Sequence, residues 1–343
     1  MNIVKKVLSP KVIVPILILI ALLLVPVFTS NNYVFQVGAV VFLYVYFAQS
    51  WNIMGGLVGS WPMGSGIFIA VGAYCCAIVQ NEGGTAIQSI PYALVISALL
   101  AVIIGKICFR LSGTYFSLST VACLFVTKYI IVGSNTFLGH ETRAGMGLTI
   151  KFKGGFEYLQ STNKAFFYYL FLALVVLAFI ITVIIMKTKI GYYFTAIRTN
   201  KGAAATIGVP VDRYKTYGFV IMACMLSIGG VMFASFNMLC DPYVVLAYDM
   251  SLQIMMFVII GGIGTLYGPI IGAAFLMLVK EVARVKLGTN YGQLALVVFG
   301  VVLCLCILYA PKGLWGIVEK VKQDRADKKK TAIAAKQEAT ANE

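Results

Sequence analysis

The chain has 343 residues, of which 60% are hydrophobic and 11% charged, and its mean hydropathy is +0.92. A soluble domain carries about a quarter charged residues, and the alternating pattern of an outer-membrane barrel is absent, so the composition points to an all-α, polytopic protein in a lipid bilayer. The formal charge of +15 is assigned to the positive bias of inner membrane loops; no basic patch interleaved with aromatics sits in a soluble module, which argues against nucleic acid.

Ten apolar segments follow in chain order, at about 12–29, 34–54, 63–80, 90–109, 114–133, 166–186, 214–236, 251–261, 269–285 and 291–310. Segments near 20 residues match about 30 Å of hydrocarbon. The expected fold therefore has about ten transmembrane or half-spanning helices. The first segment follows Lys5, Lys6 and Lys11 and is read as a span, because no small-x-small cleavage site follows Phe28. The eighth and ninth are short and suit either a re-entrant pair or two tilted half-spans. With the N-terminus inside and the segments alternating, nineteen of the 27 basic residues fall inside, which selects N-in and C-in. The loop at about 134–165 is then external and the loop at about 187–213 cytoplasmic. Residues 1–315 form the expected transmembrane domain and 316–343 a charged cytoplasmic tail.

The stretch GGLVGSWPMGSGIFIAVGAY, Gly55 to Tyr74, holds six glycines and a proline. Proline lacks the amide donor of a helix interior, so a break is expected near Ser60–Pro62, with the helix restarting at Pro62 in its first turn. GGIGTLYGPIIGAAF, Gly261 to Phe275, repeats the pattern with Pro269 in a first turn. Two interrupted segments in different parts of a chain point to a transport pathway; close helix packing and tight turns are the alternative.

Lys128 lies within the fifth segment, and an intramembrane charge is a candidate for the pathway or for pairing helices, unless it snorkels to the interface. Lys280, Glu281 and Arg284 are expected to pair with one another or reach the interface. Asp241 and Asp249 flank an expected outer turn, CDPYVVLAYD, and are read as helix caps, with contact to an external protein as the alternative. Glu141 and Arg143 are read as solvated loop charges, with contact to the same external protein as the alternative.

The eight cysteines form no CxxC pair, and most lie in apolar runs as small hydrophobic filler. The single histidine, His140, excludes a multi-histidine metal site. No metal or other cofactor is expected. The chain contains no GxxxxGK[ST] loop and no serine–histidine–acid set, so no catalysis is assigned to it.

The stretch Gly56–Tyr74 resembles a glycine-rich signature of the branched-chain amino acid importer permeases of the ATP-binding-cassette class, the Liv type. AIRTNKGAAATIGVPVDRYKTYGFVI, Ala196 to Ile221, resembles the cytoplasmic loop of that family, and GGIGTLYGPIIGAAFL a segment near its C-terminal end. TYFSLSTVACLFVTKYIIVGSNTF, from Thr114, is a weaker match in the right order. The chain departs from the family at Ser60, Pro62 and Ser65, where Gln, Ser and His are frequent. It departs again at Lys201, where the family tends to Glu, and at Phe125, where an acidic residue is common.

The resemblance implies a permease subunit that moves branched-chain or other small aliphatic amino acids across the cytoplasmic membrane of a bacterium. Urea, short amides or a simple sugar are the alternative cargoes, and an ion-coupled carrier the alternative class. Its implied partners are a second homologous permease, two cytoplasmic ATPase subunits that hydrolyse the ATP, and an extracytoplasmic solute-binding protein. Candidates for the substrate pathway are Gly56, Gly59, Ser60, Ser65, Gly66, Tyr74, Lys128, Gly261, Gly262 and Gly264. At a broken helix, freed backbone groups and nearby hydroxyls would meet the carboxylate and ammonium of an amino acid. Candidates for coupling to the ATPase are Tyr193, Ile197, Arg198, Asn200, Ala203, Ala204 and Gly208. There, Tyr192, Tyr193, Phe194 and Ile197 are expected as apolar anchors, with Arg198 and Lys201 as a polar rim. Asn200 through Ala205 is expected to continue the helix, and Gly208-Val209-Pro210 to end it. An interfacial helix lying on lipid is the alternative reading of this loop.

Overall fold

The computed structural model describes residues 21–26, 31–111, 113–134, 136–137, 140–141, 146–287, 292–309 and 313–316. Most of the first expected span, Arg143 and nearly all of the charged tail lie outside the described residues; 21–26 are helical.

Helix α1, Asn32–Asn52, starts on Asn31, whose side chain accepts from the Tyr33 amide, and runs into a π-helical turn over Ile53–Val58. After a break, α2 covers Gly66–Asn81. Helix α3, Ala86–Cys108, opens with a reciprocal capping box between Thr85 and Gln88. Helix α4 is Thr114–Gly133 and α5 is Lys164–Lys187. Two shorter helices follow, α6 at Lys189–Thr199 and α7 at Lys201–Thr206. Helix α8, Val211–Asn237, leads to the single turn α9, Pro242–Val245. The last helices are α10 at Tyr248–Gly262, α11 at Gly268–Leu287 and α12 at Gly292–Tyr309.

Six stretches among the described residues are long and apolar enough to cross a membrane: Asn32–Val58, Ala86–Cys108, Thr114–Gly133, Lys164–Lys187, Val211–Asn237 and Pro242–Gly262. The all-α polytopic architecture holds. Residues 251–285 form two separate helices joined by the turn at 263–267, and both extend beyond the apolar stretches that mark them in the sequence.

Helices α1 and α8 are the centre of the bundle. Tyr46 on α1 donates to the Met225 carbonyl on α8 at 2.8 Å, and Phe47, Trp51, Met222 and Leu226 are fully buried. Helix α2 crosses α8 at backbone contact. A Cβ on Gly72 would fall on the Ser227 carbonyl, and one on Gly230 on the Ile69 carbonyl. Here glycine serves close approach, as the packing alternative holds. Helices α3 and α4 sit at the periphery with apolar outer faces, Val95, Leu99, Ile103 and Ile107 on one and Leu118, Val126 and Tyr129 on the other.

The loop end of the bundle is tied by short pairings. Strand β1, Thr136–Phe137, pairs antiparallel with β2, His140–Glu141. Strand β3, Leu148–Thr149, pairs antiparallel with β4, Leu239–Cys240. Gln160 donates to Gln80 at 2.8 Å and fastens the loop to the end of α2.

Candidate functional site

The sequence FAQSWNIMGGLVGSWP, Phe47 to Pro62, ends α1 with polar side chains inside an apolar span. Gln49, Trp51 and Asn52 each reach another segment. Gln49 donates to Thr182 Oγ1 on α5 at 3.2 Å and to the Leu266 carbonyl at 3.4 Å. Trp51 Nε1 donates to the Pro62 carbonyl at 2.9 Å, and so braces the break from within. Asn52 accepts from the Gly264 amide at 2.9 Å and donates to the Thr265 carbonyl at 3.0 Å. The two glycine-rich stretches, some two hundred residues apart, therefore meet. A Cβ on Gly56 would lie 2.6 Å from the Gly264 nitrogen.

The first break falls where expected, around Ser60–Pro62, but the helix restarts later than expected. Gly59 adopts φ of 79°, a left-handed conformation that glycine takes without steric cost. Residues 59–62 are non-helical, and α2 begins only at Gly66. Pro62 thus lies four residues before the helix, not in its first turn. The reason is local: Met63 and Gly64 donate to Thr120 Oγ1 on α4 at 3.1 and 3.3 Å, and this holds them in a turn. In the second break Pro269 is the second residue of α11, the first-turn position expected.

The backbone groups freed at the first break are largely taken. Gly66 donates to Ser251 Oγ on α10 at 2.9 Å, and Ile67 and Phe68 donate to the Gly64 and Ser65 carbonyls. Three side chains singled out in the sequence stand apart: Ser60 Oγ, Ser65 Oγ and the Tyr74 hydroxyl are buried with no hydrogen-bond partner among the described residues. An unpaired buried hydroxyl costs about 1–3 kcal/mol.

The remaining candidates divide. Gly261 packs against α11, where a Cβ would fall on the Gly268 carbonyl; Gly262 lies against Gly313 and Gly268. These two are packing positions. Lys128 places its ammonium 4.9 Å from the centroid of the Tyr243 ring, a cation–π contact near the end of α4. Asp241 caps α9, accepting from the Tyr243 amide at 2.8 Å. Asp249 does not cap: Ala247 holds that position, and Asp249 is the second residue of α10. The turn between the two aspartates reaches inward, since a Cβ on Gly66 would lie 3.1 Å from the Val245 carbonyl. Arg284 lies 3.0 Å from Glu281, and Lys280 donates to Gln253 at 3.0 Å.

The loop between α5 and α8 differs from one continuous helix. Asn200 is extended, with φ of −156°, and its side chain accepts from the Gly202 and Ala203 amides at 2.9 and 3.1 Å. It ends α6 and caps α7. Gly208, at φ of 85°, ends α7. Phe194 and Ile197 are 0% and 1% exposed and face their own chain, where a Cβ on Gly218 would lie 3.4 Å from the Phe194 ring. Tyr193 packs on Tyr214 with ring centroids 4.5 Å apart, and Ala204 is buried beside them in the loop. Three of the four expected outward anchors are therefore inward ones. Tyr192 and Ile207, 71% and 76% exposed, are the large apolar groups this loop presents outward, with Lys201 and Ala203 exposed alongside.

Arg198 is exposed, as the rim reading expects, and also reaches the second break. Its Nη2 donates to the Ile263 carbonyl at 3.4 Å, and a Cβ on Gly59 would lie 3.0 Å from its Cγ. Asn52, Thr120 and Ser251 were not singled out by the sequence reading. Asn52 alone left a signal, as an amide at the end of a spanning segment directly before a glycine pair.

A helical membrane bundle whose two interrupted segments converge, with a separate amphipathic helix seated against them, defines a transport permease. A family model described as the permease component of branched-chain amino acid transport systems matches residues 33–307, and the chain belongs to that family. It is 24% identical to the high-affinity branched-chain amino acid transport system permease protein LivM of Salmonella typhimurium, over 91% of this chain and 79% of that protein. It is 23% identical to LivM of Escherichia coli K12, over 90% and 79%. A shorter match, 29% identical over 41% of this chain and 45% of the other, joins it to the permease LivH of Escherichia coli K12. No solved structure matches the chain.

Proposed function

We propose that this chain is one permease subunit of an ATP-driven importer for branched-chain or other small aliphatic amino acids in a bacterial cytoplasmic membrane. The observation that carries the reading is the seating of α6. Phe194 and Ile197 bury it in the permease while Tyr192 and Ile207 remain exposed, so a force applied from outside passes into the bundle as a rigid-body motion.

On this reading the N- and C-termini and the α6–α7 loop are cytoplasmic. ATP is hydrolysed on two separate subunits docked at Tyr192, Lys201, Ala203 and Ile207. A solute-binding protein delivers cargo to the opposite end, over the loop tied by β3 and β4. A second permease completes the pathway against the apolar outer face of α3 or α4. The permease names of the relatives support the cargo class. Ser60, Ser65 and Tyr74, hydroxyls without a partner among the described residues, line the route, and Gly59 and Gly66 frame it. Lys128 stands at its outer end. The proposed unit is residues 1–315, with the tail from 316 outside it.

Excision of residues 196–210 tests the class of transporter. The importer reading expects ATP hydrolysis to continue on the ATPase subunits while uptake stops. Uptake by the excised protein that follows a proton or sodium gradient contradicts it.

A further inference from the structure

The glycine breaks and α6 are joined through one side chain. Arg198 leaves α6 and runs along Gly59, where a Cβ would stand 3.0 Å from its Cγ and 3.3 Å from its Cα. Its guanidinium then reaches the second break. Nη2 donates to the Ile263 carbonyl at 3.4 Å, and Nη1 occupies the place that a Cβ on Gly264 would need. The same hypothetical Cβ would lie 2.8 Å from the Gly56 carbonyl. Gly264 is held from the other side by Asn52 on α1. Both turns are left-handed at the contact, Gly59 at φ of 79° and Gly264 at 72°, a conformation that leaves room for the arginine only while no side chain is present.

We propose that Arg198 is the positioning residue that holds both glycine breaks in one register with α6, so that displacement of α6 moves the two breaks together. The inference rests on the importer reading of the chain. It assigns to Arg198 an inward task rather than a contact with an ATPase. A guanidinium suits that task because its planar fork of donors reaches the Ile263 carbonyl while its stem packs along Gly59, whereas an ammonium is a single point charge. The side chain acts through Gly59, Ile263 and Gly264.

The test uses the full complex in proteoliposomes, with labelled isoleucine as probe, and reads the ratio of uptake to ATP hydrolysis. Arg198→Ala is expected to retain its ATPase subunits on purification and to hydrolyse ATP near the wild-type rate. Its uptake per ATP should fall about tenfold, within the usual range of coupling factors. Arg198→Lys keeps charge and stem, guards against loss of folding in the first variant, and should fall by less than the alanine variant because the charge remains while the planar fork is lost. Loss of the ATPase subunits from either variant would make Arg198 a docking contact and overturn the inference. So would an unchanged ratio in both. Absence of ATP-driven uptake in the wild-type complex would instead remove the importer reading, a result read in a different sample.

Discussion

Asn52 and Gly264 share the contact that closes the two halves of the bundle at one end: the Asn52 side chain accepts from the Gly264 amide at 2.9 Å and donates to the next residue's carbonyl at 3.0 Å. An asparagine amide matches a peptide group donor for acceptor, so both exposed backbone groups of the turn are satisfied by one side chain. Asn52 is fully buried.

Asn52→Ala leaves those groups unpaired, at about 1–3 kcal/mol for each buried group. The purified permease should melt at a lower temperature. Asn52→Asp should be as harmful, because a carboxylate oxygen then faces the Thr265 carbonyl. A melting curve of both variants in detergent checks this; unchanged midpoints would mean that the turn finds other partners.

Thr120 accepts from Met63 and Gly64 while donating to the Ser117 carbonyl at 2.7 Å. Thr120→Val keeps the shape and removes the acceptor. We expect a loss of about 1–3 kcal/mol and faster hydrogen exchange at residues 63 and 64. Unaltered protection there would show that Thr120 does not hold the break.

Gly72 and Gly230 set the crossing of α2 and α8. Gly72→Ala presses a methyl into the Ser227 carbonyl, and overpacking of a tight core costs about 1–3 kcal/mol. Gly83 has no atom within 4 Å of a hypothetical Cβ, but its φ of 97° makes it a strained site of another kind. Gly133, with nothing within 4 Å and no strained φ, is the proper control, and Gly133→Ala should leave the melting temperature unchanged.

The α6–α7 loop yields a pair of opposite outcomes. Phe194→Ala removes a fully buried ring and should destabilise the permease by about 3–5 kcal/mol. Tyr192→Ala and Ile207→Asp should leave its melting unchanged and lower the yield of ATPase subunits in a pull-down. Equal pull-down yields for wild type and both surface variants would move the docking surface elsewhere.

Much of this was legible in the chain. The apolar segments mark helices because a spanning helix must be apolar over its length, and the two stretches in which a doubled glycine precedes a proline mark both breaks. What escaped was direction. A period of 3.6 residues shows that Tyr192, Tyr193, Phe194 and Ile197 are apolar, not which of them the bundle claims first. Phe194 and Ile197 lie one turn apart on the face turned to α8, and Tyr192 falls opposite. Pro62 misled for a related reason: its fixed φ suits a helix start, yet Thr120, fifty-eight positions later, captures the two following amides. Tertiary partners of that kind leave no local mark.

The central claim is that ATP drives amino acids through this chain. It is tested most directly by uptake of labelled isoleucine into proteoliposomes holding the chain with its second permease, ATPase subunits and binding protein. The account predicts uptake that requires ATP on the ATPase side and is competed by leucine and valine. Uptake that proceeds without the ATPase subunits and follows an imposed ion gradient would contradict it.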